Sequence, residues 1–463
     1  MIATDAAALQ AENQALRQEV ASLREQNATL QAQLAAALTR IAELENRPKD
    51  PPPFVKADTP KRERKPRRKR KPEHNRARRL ETPTRVEQHA LEHCPDCGLR
   101  LHGGTLARRR QVIDLPAPQP VEVVEHQVIK RWCAWCQRWQ VPTLDLQGQV
   151  LGQRRLGVRI ASLIAYLRTT LRLPVRRIQA YLQTIHGLTI SVGEIVELLH
   201  HVRRVTQPTV AQLQAQARAS PILHMDETGW REAGQNGYIW GFSTPGEAGV
   251  RYYEYVPSRA GAVVKRLLGG KFVGHLVSDF YGGYNIYAGK HQRCWVHLLR
   301  DLHALKEAHS AEEAVQTWAA AVRQLYDEAQ VFLQRAEVPS QADREAQYVL
   351  LVERARRLGL QYAQAYDHPC NALAKRLVRH QDELFQFVLV DGLSADNNLA
   401  ERSIRPVVVI RKISGGTQSA EGSKTRMALA SLFETWQVRG LNPFEECLKL
   451  LRQPPTQTPL PQV

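Results

Sequence analysis

The sequence predicts an α/β multidomain protein, and three observations carry that expectation. In the second half of the chain, short apolar segments that run into an aspartate alternate with helical stretches. The first 45 residues repeat leucine at every seventh position. Between these regions lie two CxxC pairs and a basic helical segment. A chain of 463 residues has room for about two to four folded units, and 43% apolar residues supply a sizeable core.

Composition excludes some classes at once. No run of about 18 apolar residues exists, so a membrane span is not expected. The opening MIATDAAALQAENQ has neither the basic start nor the apolar stretch of an export signal, and a cytoplasmic location follows. Seven cysteines, four of them in CxxC pairs, suggest metal rather than disulfides in such a chain. The formal net charge is +18, and residues 61–79 supply +10 of it. A polyanion is the expected partner, nucleic acid first.

Residues 1–46 read as a leucine-zipper-like coiled coil. Leu9, Leu16, Leu23 and Leu30 continue as Ala37 and Leu44, with Ala6, Asn13, Val20, Asn27, Leu34 and Ile41 on the companion positions. A strict period of seven makes a seam between helices, and the two asparagines favour a defined register, commonly a parallel homodimer. Residues 47–87 then form a basic linker, too rich in Pro and like charge to fold alone. Its Lys61, Arg62, Arg64, Lys65, Arg67, Arg68, Lys69, Arg70 and Lys71 are candidate phosphate contacts, binding DNA through counterion release.

Residues 88–145 read as a zinc ribbon. Cys94 and Cys97, then Cys133 and Cys136, can supply two thiolate knuckles for one structural Zn²⁺. The intervening QVIDLPAPQPVEVVEHQVIKRW suggests two extended segments around a Pro-rich turn. Residues 150–215 are helical and basic. Leu173-Pro174 breaks one helix, His186-Gly187 ends the next, and Ser191 with Glu194 spells a capping box. Helix, short turn and helix with flanking arginines resemble a helix-turn-helix.

The segment 218–415 changes style. ILHMD (222–226), YIWGFST (238–244) and VRYYEYV (250–256) are strand-like, followed by a helix at 260–268. HLVSD (275–279) is a fourth strand and residues 292–297 suggest a fifth. That order fits a mixed sheet of ribonuclease-H type. Asp226 and Asp279 stand at strand ends, and Asp396 or Asn397 caps a helix carrying Glu401. Taken singly, each acid reads as a turn or surface residue. As a set they match what two Mg²⁺ or Mn²⁺ ions require, for phosphodiester cleavage between ions about 3.5–4 Å apart. Glu227 falls on the opposite face of its strand from Asp226 and is not a ligand.

HMDETGW (224–230), VSDFYGGY (277–284), CWVHLLRDL (294–302) and ADNNLAERSIRPVVVIRK (395–412) resemble the motifs of the insertion-sequence family 66 transposases, a DDE group. The resemblance covers nearly the whole chain, since that family also has a zipper-like helix, a basic stretch and a CxxC region in this order. It implies a ribonuclease-H-like catalytic core with Asp226, Asp279 and Glu401 as catalytic acids and a helical insertion, here 301–392 with breaks near Pro339 and Pro369. It also implies a bacterial, nucleoid-associated enzyme that acts on double-stranded DNA at element ends and target, with small accessory proteins as possible partners. The chain departs from the family where Ile413-Ser414-Gly415-Gly416 replaces an apolar, aromatic continuation.

Supporting residues read two ways. His297 and Arg300, and Arg402 and Arg405 beside Glu401, are phosphate contacts or ordinary helix-surface charge. Trp230, Trp240, Cys294, Cys370 and Cys447 read as core, and residues 416–463 as a C-terminal helix with a disordered tail. Two rivals stand beside transposition: a DNA-binding regulator without catalysis, and a metal-dependent nuclease that cuts without joining. The regulator leaves the strand-end acids without a purpose. The nuclease uses the same acids.

Overall fold

The computed structural model of the protein describes residues 2–45, 82–113 and 120–453. The basic residues at 61–71, the Pro-rich turn at 114–119 and the tail at 454–463 lie outside the described residues. The chain divides into two units, Met1–Leu115 and Pro116–Val463.

In the first unit, α1 (Ile2–Glu45) is one uninterrupted helix of 44 residues. The heptad residues Val20, Leu23, Leu30 and Leu34 are exposed along it. Further on, the first CxxC pair closes a tight turn: Gly98 N–H donates to the Cys94 carbonyl (2.9 Å), and Cys94 N–H to that of Leu99 (2.8 Å).

The second unit opens with a small hairpin, β1 (Arg131–Cys133) and β2 (Arg138–Gln140). Strands were expected on either side of the Pro-rich turn. Instead they bracket the second CxxC pair, and the described residues 120–130 form none. Close pairing needs a close turn, and 134–137 provides it with Gln137 at φ +50°. Trp132 and Trp139 face each other across the hairpin at 5.7 Å.

Three helices follow: α2 (Val158–Thr169), α3 (Val175–His186) and α4 (Val192–Ala219). Their breaks fall where the sequence placed them. Pro174 precedes α3, Gly187 ends it at φ +64°, and Ser191 Oγ accepts the Glu194 N–H at 3.0 Å. The reciprocal half of the capping box is absent, because the Glu194 carboxylate takes two bonds from Arg155 instead.

The sheet comprises β3 (Ile222–Glu232), β4 (Gln235–Ser243), β5 (Arg251–Val256), β6 (His275–Ser278) and β7 (His291–Arg293), with α5 (Gly261–Leu268) between β5 and β6. Its order is β5-β4-β3-β6-β7. β3, β4 and β5 are antiparallel neighbours, while β6 and β7 run parallel to β3, giving the mixed sheet expected. Two details differ from expectation. β3 does not stop at Asp226 but runs on to Glu232, through a two-residue turn at Ala233 (φ +48°) and Gly234 (φ +81°). The fifth strand ends at Arg293, because Trp295, Leu298 and Leu302 recur at helical spacing and bury one face of α6 (Trp295–Ala308). Cys294 therefore caps a helix rather than ending a strand, and is buried as expected.

The insertion continues with α7 (Glu313–Leu333), α8 (Gln341–Tyr362), α9 (Asn371–His380) and the short α10 (Gln386–Leu389), broken near Pro339 and Pro369. It has its own core, into which Ile222 and Val277 of the sheet also reach. Leu223, Met225, Trp240 and Phe242 face the other way, into the core of α2, α3 and α4. This period of two decides which side each acid of β3 takes.

The chain ends with α11 (Asn398–Ser414), α12 (Ala420–Val438) and α13 (Pro443–Arg452). α12 covers the edge strand β5: Ser431 Oγ and Thr435 Oγ1 accept the Tyr253 and Arg251 amides at 2.9 Å each. An uncovered edge would invite pairing with another chain. The packed unit thus runs past residue 415, where the sequence suggested a boundary. Trp230 and Trp240 lie in the core, as do Cys370 and Cys447.

Candidate active site

Asp226 sits in mid-strand, paired with Gly241 of β4, two residues past the last β3–β6 pair, His224 with Val277. Asp279 follows the last residue of β6. Both acids therefore stand where the parallel ladder ends, the position at which open α/β sheets expose groups to ligands. Glu401 lies in the first turn of α11. The structure brings the three together closely enough for the charges of Asp279 and Glu401 to act on Asp226.

Asp226 is half-buried and poorly supplied with donors. Its carboxylate accepts the Glu227 backbone N–H at 2.9 Å. Burial first, then the charges of Glu227, Asp279 and Glu401, push its pKa up to about 7. Asp279 Oδ1 accepts the Tyr281 N–H at 2.9 Å. Glu401 Oε1 is buried and accepts no hydrogen bond. Burial holds His224 down to about 4, so it stays neutral and brings no compensating charge. Three carboxylates short of donors, with the charges of Asp279 and Glu401 reaching Asp226, make a donor set that fits hard divalent cations.

One feature of Glu401 bears on that fit. Its Oε1 lies 3.7 Å from His297 Nε2, and Cys294, His297 and Glu401 offer ligand atoms all within 4.8 Å of one another. Among the described residues that trio, not the three acids, meets so tight a limit. Two ions about 3.5–4 Å apart spread their ligands over a wider space than one ion does. The Cys294 sulfur is engaged with the Asn397 N–H at 3.2 Å, and burial raises its pKa, so it is a neutral thiol rather than a ligand for a hard cation.

α11 is tied to β3 at both ends. At its start, Asn397 occupies the N-cap position without a capping bond, and Asp396 Oδ1 takes the Asn398 N–H instead (3.0 Å). The Asn397 side chain, buried, donates to the Met225 carbonyl at 2.8 Å and lies 3.2 Å from His224 Nδ1. At its end, Arg411 binds Thr228 Oγ1 (3.1 Å) and the Gly229 carbonyl. Beyond Gly415, Thr417 N–H donates to the Arg231 carbonyl (2.9 Å), and Ala233 N–H to that of Thr417. A Cβ on Gly416 (φ +127°) would stand 2.1 Å from the Arg231 carbonyl oxygen. The departing stretch 413–416 is therefore a seam to the β3–β4 hairpin.

Glu227 points to the other side. Its carboxylate accepts two bonds from Arg259 (2.8 and 2.5 Å) and one from Tyr284 (2.5 Å). Arg300, Arg402 and Arg405 are exposed and pair with no acid among the described residues. In the CxxC turns, backbone hydrogen bonds lower the pKa of Cys94 and Cys133, which favours the thiolate. The sequence reading missed Asn397 as a cross-link, Arg411 as a clamp and Arg293 beside Asp279. Only the run of consecutive polar residues at 396–398 hinted at the first.

Fold and site together define an α/β protein with carboxylates gathered where the parallel β3–β6 ladder ends. A family model described as transposase IS66 family matches residues 153–425, more than half of the length, and the chain belongs to that family. It is accordingly a DNA-processing enzyme of the transposase class, with divalent-metal use and DNA binding as family properties. No curated protein matches the chain. Among the described residues, no helix is long and apolar enough to cross a membrane.

Proposed function

We propose that this transposase binds the ends of its own insertion sequence, cleaves them and joins the freed strand to target DNA. Its catalytic residues are Asp226, Asp279 and Glu401 on a ribonuclease-H-like core. The observation that carries the reading is the half-buried, donor-poor Asp226 beside two further acids. When bound, two Mg²⁺ or Mn²⁺ ions would supply activation of the attacking oxygen and stabilisation of the leaving one. Asp226 holds its carboxylate from the middle of β3 and Asp279 from the end of β6, and Glu401 adds the third from a helix tied to β3. Arg300, Arg402 and Arg405 face solvent and steer the DNA backbone.

The remaining parts gather and orient DNA. The basic arm neutralises phosphates, α3 and α4 act as a helix-turn-helix, and the two CxxC pairs share one structural Zn²⁺. α1 pairs with a second copy, which brings two element ends together, and accessory proteins of the same element complete the assembly. The exposed heptad residues support the pairing, and a monomeric mass by light scattering at micromolar concentration would remove it.

The test uses linear DNA carrying flanked element ends, with Mg²⁺, and compares wild type with Asp226→Ala, Asp279→Ala and Glu401→Ala. Cleaved and joined products from wild type, with binding alone from all three variants, are expected. Nicks without joined products would favour the nuclease. Variants that cut like wild type would put the catalytic site elsewhere.

A further inference from the structure

Arg293, at the end of β7, has a fully buried side chain. Taking a guanidinium out of water costs several kcal/mol, and an apolar residue of similar volume would often serve stability as well. Its bonds indicate what the charge is for. Nη1 donates to the Asp279 carbonyl at 2.9 Å and reaches Ser278 Oγ at 3.4 Å. Nη2 donates to Asn285 Oδ1 and Nε to Glu383 Oε2, each at 2.6 Å.

The β6–β7 ladder ends at the pair Ser278 with Arg293. From Asp279 onward no strand partner holds the main chain, so its peptide plane is set by side chains. Ser278 Oγ, itself 2.8 Å from His291 Nε2, also donates to the Asp279 carbonyl at 2.9 Å. Turning that peptide would swing the carboxylate.

The other end of the relay belongs to the helical insertion. Glu383 lies between α9 and α10 and also meets His380 Nδ1 at 2.8 Å. The same segment is fastened to the sheet: Gln292 Nε2 donates to the Leu384 carbonyl (3.1 Å), Gln292 Oε1 accepts the Phe387 N–H (3.0 Å), and Trp295 Nε1 also donates to Leu384 (2.5 Å).

We propose that Arg293 is a positioning residue for Asp279 and that Glu383 anchors it, so that the helical insertion fixes the geometry of the acid cluster. This rests on the reading of the three acids as metal ligands. Partners that orient a ligand from behind typically govern metal affinity 10–100-fold.

The experiment is a Mn²⁺ titration of the full-length chain followed by electron paramagnetic resonance, with circular dichroism reporting the folded fraction. Wild type is compared with Asp279→Asn, Arg293→Lys, Glu383→Gln and Arg354→Ala. The last removes the ion pair with Glu328 inside the insertion, away from the relay. Glu383→Gln and Arg293→Lys should weaken Mn²⁺ binding about tenfold or more, while Arg354→Ala binds like wild type. Should Arg293→Lys fail to fold, Glu383→Gln decides, since its side chain is partly exposed.

Wild-type Mn²⁺ affinity in folded Glu383→Gln, with binding lost in Asp279→Asn, would overturn the relay and leave the proposed function standing. Equal weakening by Arg354→Ala would assign the effect to general loosening of the insertion and also overturn it. If Asp279→Asn binds Mn²⁺ as wild type does, the reading of the acids fails and the relay falls with it.

Discussion

Two neighbouring carboxylates on β3 meet opposite treatment. Glu227 turns toward Tyr284 and Arg259 and receives three hydrogen bonds, two of them from a cation. Asp226 turns toward α11, has one backbone donor and faces two further acids. Both sit in surroundings that favour the neutral form. The fold compensates one and leaves the other in deficit. A buried acid that is part of the framework is given donors, whereas an acid kept short of them awaits a partner from outside.

That contrast can be broken by experiment. Asp226→Asn should lower DNA cleavage by about 10³-fold or more, yet raise the melting temperature without divalent ions, because it relieves repulsion. A lower melting temperature would make Asp226 a framework residue after all. Glu227→Gln should do the reverse, costing about 2–3 kcal/mol in chemical denaturation with cleavage per folded molecule within about tenfold of wild type. Lost cleavage at unchanged stability would place Glu227 among the reacting groups.

A third acid, partnered like Glu227, sharpens the picture through pH. Burial works against the charge of Glu383, but His380, His291 and Arg293 outweigh it and hold its pKa down to about 2, below the usual 4.5. A depressed carboxylate stabilises the fold above its unfolded value and loses that contribution as pH falls from about 4.5 toward 2. The stability gap between wild type and Glu383→Gln, about 1–2 kcal/mol at neutral pH, should therefore close over that window in urea titrations. A gap that stays constant would mean that the charge of Glu383 does not matter. The smallest effect is expected at the exposed face of α11: Arg405→Ala should reduce the log–log salt slope of DNA binding by about 0.9 and shift stability by less than about 0.5 kcal/mol. An unchanged slope would remove Arg405 from the DNA path.

Asp226 and Asp279 could be singled out as candidates because a carboxylate after an apolar run breaks the hydrophobic pattern, whereas Glu401, on a helix, carries no such local mark. The length of β3 was not, since Ala233 gives no sign that it will take a left-handed turn usually left to Gly or Asn. Asn397 was legible only as a capping residue. Its side chain serves β3 instead, a contact across 172 positions that local spacing cannot encode. Arg293 reads as one more polar residue beside a short strand, and its burial depends on an insertion folding back from about 90 residues away. Arg300, Arg402 and Arg405 are exposed, which suits a phosphate contact and ordinary surface charge alike.

The seam between α11 and β3 works as a ruler. One end is fixed where Asn397 meets the Met225 carbonyl, the other where Thr417 meets Arg231. Between them a helix of 17 residues spans about 25 Å at ~1.5 Å per residue. The six strand steps beneath cover about 20 Å at ~3.3 Å each, and the turn through Gly415 and Gly416 takes up the remainder. Adding or deleting one residue in α11 between the two fastenings would rotate one end by about 100° against the other. Glu401 or the hairpin seam would then have to give way. The stretch from Asn397 to Thr417 should tolerate substitutions on its exposed face but no change in length.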